Sequence, residues 1–203
     1  MADATYQPKV YRKQGGDELV VASGGSITVE SGGALDLENF TNGAPGAGIS
    51  GGTGTVFKTS VIRIGDIIRT SILIDLTGLS SSTTDLDIIG TGTSAAYLGQ
   101  ITAAKNGTVL TGKMTCLEAP SGGVNDIDLY SATEATGVFN GAIGDLAETA
   151  LITAGEAWTN GAVKSFIAIP AANKYLYLTG GAGGTAAVYT AGKFLIELDG
   201  YEA

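Results

Sequence analysis

The chain has 203 residues, of which 44% are hydrophobic and only 15% are charged. It contains 32 glycines, four prolines and no histidine, and its net charge is −9. The high apolar fraction excludes a disordered chain, and the acidic balance argues against nucleic acid as a partner. Sparse charge together with many small and β-branched residues indicates an all-β fold of short strands and frequent turns.

The first segment, residues 1–14, is predicted to be an extended basic arm. Residues 1–13 contain the cations Lys9, Arg12 and Lys13 against a single carboxylate, whereas the rest of the chain has eight cations against nineteen carboxylates. Two interpretations of this arm stay open, an arm that binds an acidic protein surface and a solvated tail. Polar residues follow Met1 and no run approaches the ~20 apolar residues of a membrane span, so we expect synthesis in a cytoplasm and no membrane partner.

A repeat follows in which glycine pairs begin at Gly15, Gly24 and Gly32, each ahead of a short β-forming segment. Paired glycines supply the positive φ angles of tight turns. Three such short units cannot bury their apolar faces within one chain, so they are expected to need partner chains. The predicted interface residues of the arm and repeat are Lys9, Arg12, Lys13, Leu19, Val21, Ile27, Val29, Leu35 and Leu37.

The composition divides the chain into three parts. Residues 1–40 form the arm and repeat, residues 41–55 are glycine-rich and are predicted to be a flexible linker, and residues 56–203 form the body. The two sides of the linker are therefore expected to be separate units.

The body is predicted to be an antiparallel β-sandwich resembling a jelly roll, because strand patterns alternate with turn signals throughout it. Asn106-Gly107 is typical of a type I′ hairpin turn. One helix is predicted over Asp145–Ala154, with Asp145 as its N-cap. The predicted strands are Val56–Ile64, Ile67–Leu76, Asp85–Ile89, Tyr97–Ala103, Val109–Leu117, Val124–Tyr130, Val163–Ile169, Lys174–Thr179, Ala186–Thr190 and Lys193–Leu198.

Carboxylate pairs are the one candidate for chemistry, because the missing histidine excludes Ser-His-Asp and Cys-His catalysis and the common zinc sites. Asp85 with Asp87, and Asp126 with Asp128, are spaced to share one strand face. Such pairs suit calcium binding or glycoside hydrolysis. Apolar residues alternate with them, so we interpret them as the solvated faces of amphipathic strands. The sequence thus predicts no catalytic, metal-binding or cofactor-binding residue.

The single cysteine and the aromatic residues are predicted to be structural. Cys116 lies in a strand pattern beside Met114 and is expected to be a buried free thiol. The aromatic residues near the C-terminus fit core and interface packing better than a sugar-binding platform, which stays open as the alternative. They are Trp158, Tyr175, Tyr177, Tyr189, Phe194 and Tyr201.

Four stretches of the chain resemble a known group. Tyr11–Gly25 resembles the opening of small structural proteins encoded in the head gene clusters of tailed bacteriophages, and Val61–Asp66, Ala172–Leu178 and Gly192–Leu198 are similar to the same group. The resemblance implies a head decoration, or cement, protein that binds the outer surface of a capsid as a homotrimer. It implies the major capsid protein and further copies of the chain as partners, location in the virion, and no catalytic residues.

Two other functional classes remain compatible with the sequence. A receptor-binding tail tip or fibre knob is also trimeric and rich in β-structure, although long fibres usually have more repeats before the knob. A polysaccharide-binding or polysaccharide-hydrolysing β-sandwich needs only two carboxylates and no histidine. We therefore expect a non-enzymatic capsid decoration protein, with these two classes as alternatives.

Overall fold

A computed structural model describes residues 10–12, 19–22, 25–27, 42–182 and 184–202. The chain divides into two compact units, Met1–Glu38 and Asn39–Ala203. In the first unit, β1 (Val10–Arg12) pairs with β2 (Leu19–Val21) in an antiparallel ladder that places Tyr11 opposite Val20. Each of these strands is three residues long, so the ladder is short.

The second unit contains a five-stranded antiparallel sheet in the order β10-β7-β13-β4-β3. The long strands in its middle pair along most of their length. The bounds are β3 (Val56–Ile64), β4 (Ile67–Asp75), β7 (Thr108–Ser121), β10 (Val163–Ser165) and β13 (Ala191–Tyr201). The predicted strand pair around Gly65-Asp66 is confirmed, because Ile64 lies opposite Ile67 across a two-residue turn in which Gly65 has a φ of 61°.

A second antiparallel sheet has four strands in the order β6-β11-β8-β9, and two further short strands, β5 and β12, pair with each other. The bounds are β5 (Ser80–Ser81), β6 (Gly99–Gln100), β8 (Ile127–Ala132), β9 (Glu148–Ile152), β11 (Tyr175–Gly180) and β12 (Ala187–Val188). Among the described residues, the predicted strand Asp85–Ile89 makes only isolated bridges, from Asp87 to Ala142 and from Ile88 to Thr179. The described chain is thus mostly antiparallel β-structure, as the composition predicts.

One hydrophobic core joins the two sheets. It contains Ile72, Met114 and Phe194 of the five-stranded sheet together with Leu129 and Leu178 of the four-stranded sheet, all fully buried. Every residue of β8 is buried, so both faces of that strand are covered. Burial of aliphatic and aromatic side chains on this scale is the main term that stabilises the fold.

The helix predicted over Asp145–Ala154 is wrong. A 3₁₀-helix (Ile143–Leu146) contains Asp145 within it, Ala147 follows with a φ of 51°, and β9 then pairs with β8. Propensity favoured a helix here because leucine and alanine recur in the segment, but the open edge of β8 offers hydrogen bonds that a helix would leave unused.

The hairpin predicted at Asn106-Gly107 is also wrong. The short helix α2 (Ala103–Asn106) begins after Thr102, whose Oγ1 accepts the N–H of Lys105 at 3.3 Å. The Asn106 side chain is buried and donates from Nδ2 to Asn42 Oδ1 at 2.8 Å and to Thr70 Oγ1 at 2.7 Å. Asn106 therefore joins three segments of the unit instead of forming a turn.

Residues 42–55, predicted to lie in the flexible linker, pack onto the body. The helix α1 (Ala47–Ser50) buries Ile49 completely. Gly46 and Gly48 donate N–H groups to the carbonyls of Tyr97 and Ala95 at 2.9 and 2.7 Å. A Cβ at Gly48 would lie 2.4 Å from the carbonyl oxygen of Ser94, so this glycine permits a close backbone approach rather than flexibility.

Candidate functional site

The predicted interface residues lie in the N-terminal unit, and the structure describes four of them. Arg12 and Leu19 are opposite each other in the β1–β2 ladder. Val21 and Ile27 are 41% and 55% exposed. Lys9, Lys13, Val29, Leu35 and Leu37 lie outside the described residues. The described part of this unit therefore has two exposed aliphatic side chains, one in β2 and one beyond the short ladder.

The two aspartate pairs were predicted to lie on solvated strand faces, and this is wrong for three of the four residues. Asp87, Asp126 and Asp128 are buried, with exposed fractions of 7%, 6% and 5%, whereas Asp85 is exposed. The periodicity was correct, since Asp126 and Asp128 share a face, but other segments of the chain cover that face. Asp87 accepts a hydrogen bond at Oδ2 from the Ser82 hydroxyl at 2.7 Å.

Asp126 and Asp128 form a buried acidic corner with Lys164 beside them. Oδ1 of Asp128 accepts the N–H of Ala154 at 2.6 Å, and Nζ of Lys164 donates to the carbonyl of Ala154 at 2.8 Å. Nζ of Lys164 also pairs with Oε1 of Glu156 at 3.0 Å. Oδ1 of Asp126 has no hydrogen-bond partner among the described residues.

Burial dominates the electrostatics of this corner. It raises the pKa of both Asp126 and Asp128, because a carboxylate removed from water loses its hydration. Backbone N–H groups, among them those of Gly155 and Ala154, and the positive charge of Lys164 oppose the rise. Gly181 packs against the carboxyl group of Asp126, because a Cβ atom at position 181 would lie 2.4 Å from Asp126 Cγ. The corner is closely packed rather than open to a substrate.

We expect low pH to remove the stability cost of the charged Asp128 carboxylate in this corner. The Asp128→Asn variant tests this expectation. Because burial raises the pKa of Asp128 in the folded state, the charged carboxylate costs stability at any pH above that pKa. The cost is lost as the pH falls through the folded-state pKa toward the unfolded value of about 4. The amide keeps an Oδ1 acceptor for Ala154 and has no charge, so the variant should unfold at higher urea concentration near neutral pH and match the parent in acid.

Asp199→Asn is the matched control for this pH experiment. Asp199 pairs with Arg69 at 2.7 Å on the exposed face of the five-stranded sheet, so its replacement should change the stability little at neutral pH. Loss of stability in Asp128→Asn at neutral pH would mean that attraction to Lys164 outweighs the cost of burial.

The aspartates also bear on metal binding. Within the ranges that the structure describes, no group of three or more carboxylate or thiol side chains is arranged to hold a metal ion. We expect the melting temperature to be the same with and without EDTA. A rise of several degrees on adding calcium would show instead that Asp85, Asp87, Asp126 or Asp128 is a ligand.

The aromatic residues named as a possible sugar platform are mostly inside the protein. Trp158 is 2% exposed and donates its Nε1–H to the carbonyl of Ile127 at 2.8 Å. Its ring packs edge-on against Phe194, with ring centroids 5.2 Å apart. Tyr177 and Tyr189 are buried, and burial raises the pKa of Tyr177 to about 12. The prediction of core packing is confirmed for these four residues.

Cys116 is a free thiol and fully buried, as predicted. Burial raises the pKa of this thiol, so the reactive thiolate is disfavoured. In the described parts of the chain, no helix has both the length and the apolar character needed to cross a bilayer.

Three surface depressions have been located along the described chain, and none is lined by a carboxylate. The most enclosed one has a volume of about 250 Å³ and lies between Ile101, Val109 and Ile169. The other two are open grooves beside Lys58, with volumes of about 140 and 520 Å³. None of the three has the paired acids that glycoside hydrolysis requires.

The outer face of the five-stranded sheet is a further surface, one that the sequence patterns did not identify. Ion pairs cross it between neighbouring strands, Arg69 with Asp199 and Lys113 with Glu197 at 3.0 Å, and Lys193 with both Asp75 and Glu118. Exposed ion pairs of this kind stabilise a sheet only slightly. They do keep most of this face compatible with water.

Four exposed apolar residues gather at one end of that face, around the β3–β4 turn. This hairpin-tip patch consists of Ile62, Ile64, Ile67 and Tyr201, which are 52%, 75%, 49% and 37% exposed. The register places Ile64 and Tyr201 on either side of Ile67. The signal in the sequence was the three isoleucines that flank Gly65-Asp66, although only the pairing shows that Tyr201 joins them.

Comparisons with protein-family models, with curated proteins and with solved structures found no match to this chain.

Proposed function

We propose that this chain is a non-enzymatic structural protein of a virion, which decorates and stabilises the outer surface of a tailed-phage capsid as a homotrimer. In this proposal the unit before residue 39 is the anchor, built from an extended arm and Gly-Gly β-units. The body is a jelly-roll-like β-sandwich that projects from the capsid. The major capsid protein and further copies of this chain are the partners.

The observation that supports the proposal best is the contrast between the two units. The second unit has an extensive core of its own, whereas the described strands of the first are three residues long, and both Val21 in β2 and Ile27 beyond it are exposed. Short strands with exposed aliphatic residues gain stability by adding to the edge of another sheet. The basic residues Arg12, Lys9 and Lys13 favour an acidic surface as that partner.

The body fits the outward-facing role in the same proposal. Its acidic balance keeps a densely displayed protein soluble. Many copies related by the symmetry of the capsid turn individually weak contacts into stable attachment. The buried positions of Asp126, Asp128 and Trp158 and the lack of acids in the located grooves weigh against the polysaccharide-acting alternative.

The proposed trimer is tested by light scattering on the purified protein. Exposed apolar residues of the Gly-Gly units are expected to be covered by other copies, so the mass should be about three times that of the 20.3 kDa chain. A monomer at micromolar concentration, together with the absence of trimers on capsids, would refute this state.

The proposed function is tested by adding the purified protein to capsids that lack their decoration protein. Saturable binding of many copies to the shell, with greater resistance of the particles to heat, would support it. Binding of few copies at a single vertex or at the tail would favour the tail-tip alternative. Release of sugars from a host polysaccharide, without binding to capsids, would overturn the proposal in favour of an enzyme.

A further inference from the structure

Among the described residues, strand β3 is an edge strand without the usual protection against pairing. It ends the order of the five-stranded sheet, and no strand in residues 42–182 or 184–202 pairs with its outer edge. It is nine residues long, lacks proline, and pairs with β4 without a bulge. Natural proteins usually protect such edges with charges, proline, bulges or short strands. Of its two cations, Arg63 is held by Glu202 and the carbonyl of Ala104.

The register shows which backbone groups point away from the sheet. The pair Ile64 and Ile67 closes the two-residue turn, so the even-numbered residues of β3 exchange hydrogen bonds with β4. The N–H and C=O groups of Phe57, Thr59, Val61 and Arg63 are therefore directed to the free edge. A groove of about 520 Å³ separates Phe57, Lys58 and Thr59 from the segment Gly43–Pro45, and the Asn42 N–H donates to Thr59 Oγ1 at 3.2 Å, so a strand added at this end of the edge would enter that groove.

We propose that this edge binds the same edge of a second copy of the chain, by antiparallel β3–β3 pairing about a two-fold axis at Ser60. In this register Thr59 exchanges hydrogen bonds with Val61 of the other copy, and Phe57 does so with Arg63. All four free N–H groups and all four free C=O groups of each edge are then satisfied. The result is a continuous ten-stranded sheet across two copies.

The side chains of β3 are complementary to themselves in this register. On the outer face Val56 lies opposite Ile64, which are 42% and 75% exposed in the single chain, and Lys58 lies opposite Ile62. No two like charges are opposite each other, and apolar cross-strand pairs stabilise a sheet. The pairing also covers Ile62 and Ile64 of the hairpin-tip patch, which are exposed otherwise.

A two-fold contact of this kind cannot close within a three-fold ring, so it would join copies that belong to different trimers. One strand pair is a small interface, and we expect it to form where copies are crowded. The proposal concerns the purified chain and does not depend on any capsid, so its failure and that of the proposed function are distinguishable.

Disulfide trapping of Ser60→Cys tests the axis. Residues opposite each other without mutual hydrogen bonds have Cα atoms about 4.5 Å apart, a separation that a disulfide spans. Ser60→Cys should form covalent dimers at least about tenfold faster than Ser71→Cys, because paired strands raise the effective concentration of the thiols. Ser71 lies opposite Ser60 on β4 and faces the same side, so it is a matched control. The native Cys116 is buried and does not compete.

A mixture of Lys58→Cys and Ile62→Cys proteins tests the register. Position 58 of one copy should be opposite position 62 of the other, whereas the two copies of position 58 should be about 14 Å apart. Mixed dimers should therefore form in preference to either like dimer. A statistical mixture, or a Ser60→Cys dimer no faster than the control, would overturn the proposal.

A charge substitution completes the test. Ile62→Lys in the Ser60→Cys background places an ammonium group opposite Lys58 of the other copy and should slow dimer formation to the rate of the control. Ile67→Lys, an exposed position on β4, should leave the rate unchanged. Circular dichroism spectra that match those of the parent would show that both variants are folded. Equal rates for the two double variants would contradict pairing at this edge.

Discussion

Replacing Phe194 with alanine is expected to lower the free energy of unfolding by about 3–5 kcal/mol, the usual cost of removing a large buried aromatic side chain. Phe194 is fully buried on β13, which lies between β7 and β4 in the five-stranded sheet. Its ring also packs edge-on against Trp158, with the two ring centroids 5.2 Å apart, so the substitution leaves a cavity against the indole ring. A cavity bounded by sheet strands on both sides has little freedom to collapse.

Leu195→Ala is the control, because the neighbouring side chain on the same strand points to the outer face and is half-buried. It should cost about 1 kcal/mol or less. Urea unfolding of both variants at one pH measures the difference. Similar losses for the two variants would mean that the sheet does not have the inner and outer faces described for β13.

Deleting residues 2–38 is expected to abolish decoration of capsids while leaving a folded body. The boundary follows the division of the chain at residue 39, and the second unit keeps its complete core. A bound arm loses the conformational freedom of many residues, so its contacts with the capsid must bury enough surface to offset that cost. In the proposed trimer, three arms acting together would meet this requirement, and the deletion removes all three arms at once.

Capsids that lack the native protein provide the measurement, as the number of copies bound per particle. Circular dichroism and the melting temperature of the truncated protein serve as the control for folding. A full-length variant with Lys9, Arg12 and Lys13 replaced by glutamine separates charge from strand addition, since it should bind more weakly with less dependence on salt. Binding of the truncated body at full occupancy would place the contact on the β-sheets instead.

Local patterns in the sequence were sufficient for the long strands. The strands β3 and β4 were predicted almost to the residue, because a Gly-Asp turn separates two segments of matched length. The burial of Cys116 followed from alternation, and so did the common face of Asp126 and Asp128. Each of these features depends on neighbours a few residues away, which the sequence displays directly.

The errors arose where distant segments meet. Asp145–Ala154 becomes a 3₁₀-helix and a strand because β8 presents an open edge to it. Asn106 bonds to Asn42 and Thr70 instead of making a turn, and the glycines near residue 46 permit close packing against the body. Propensity could not predict these outcomes, because the competing hydrogen bonds come from residues that are remote in sequence.

The sequence by itself determined the all-β class, the acidic charge of the body and the lack of histidine side chains for catalysis. Composition can be counted directly, and period-two alternation depends only on residues that are close in sequence. Only the tertiary structure decided which face of each strand is covered. It buried Asp126 and Asp128, raising the pKa of each, and it exposed Ile64 and placed β3 at the end of the five-stranded sheet. The physical reason is that alternation separates two faces but does not say which one another segment will cover.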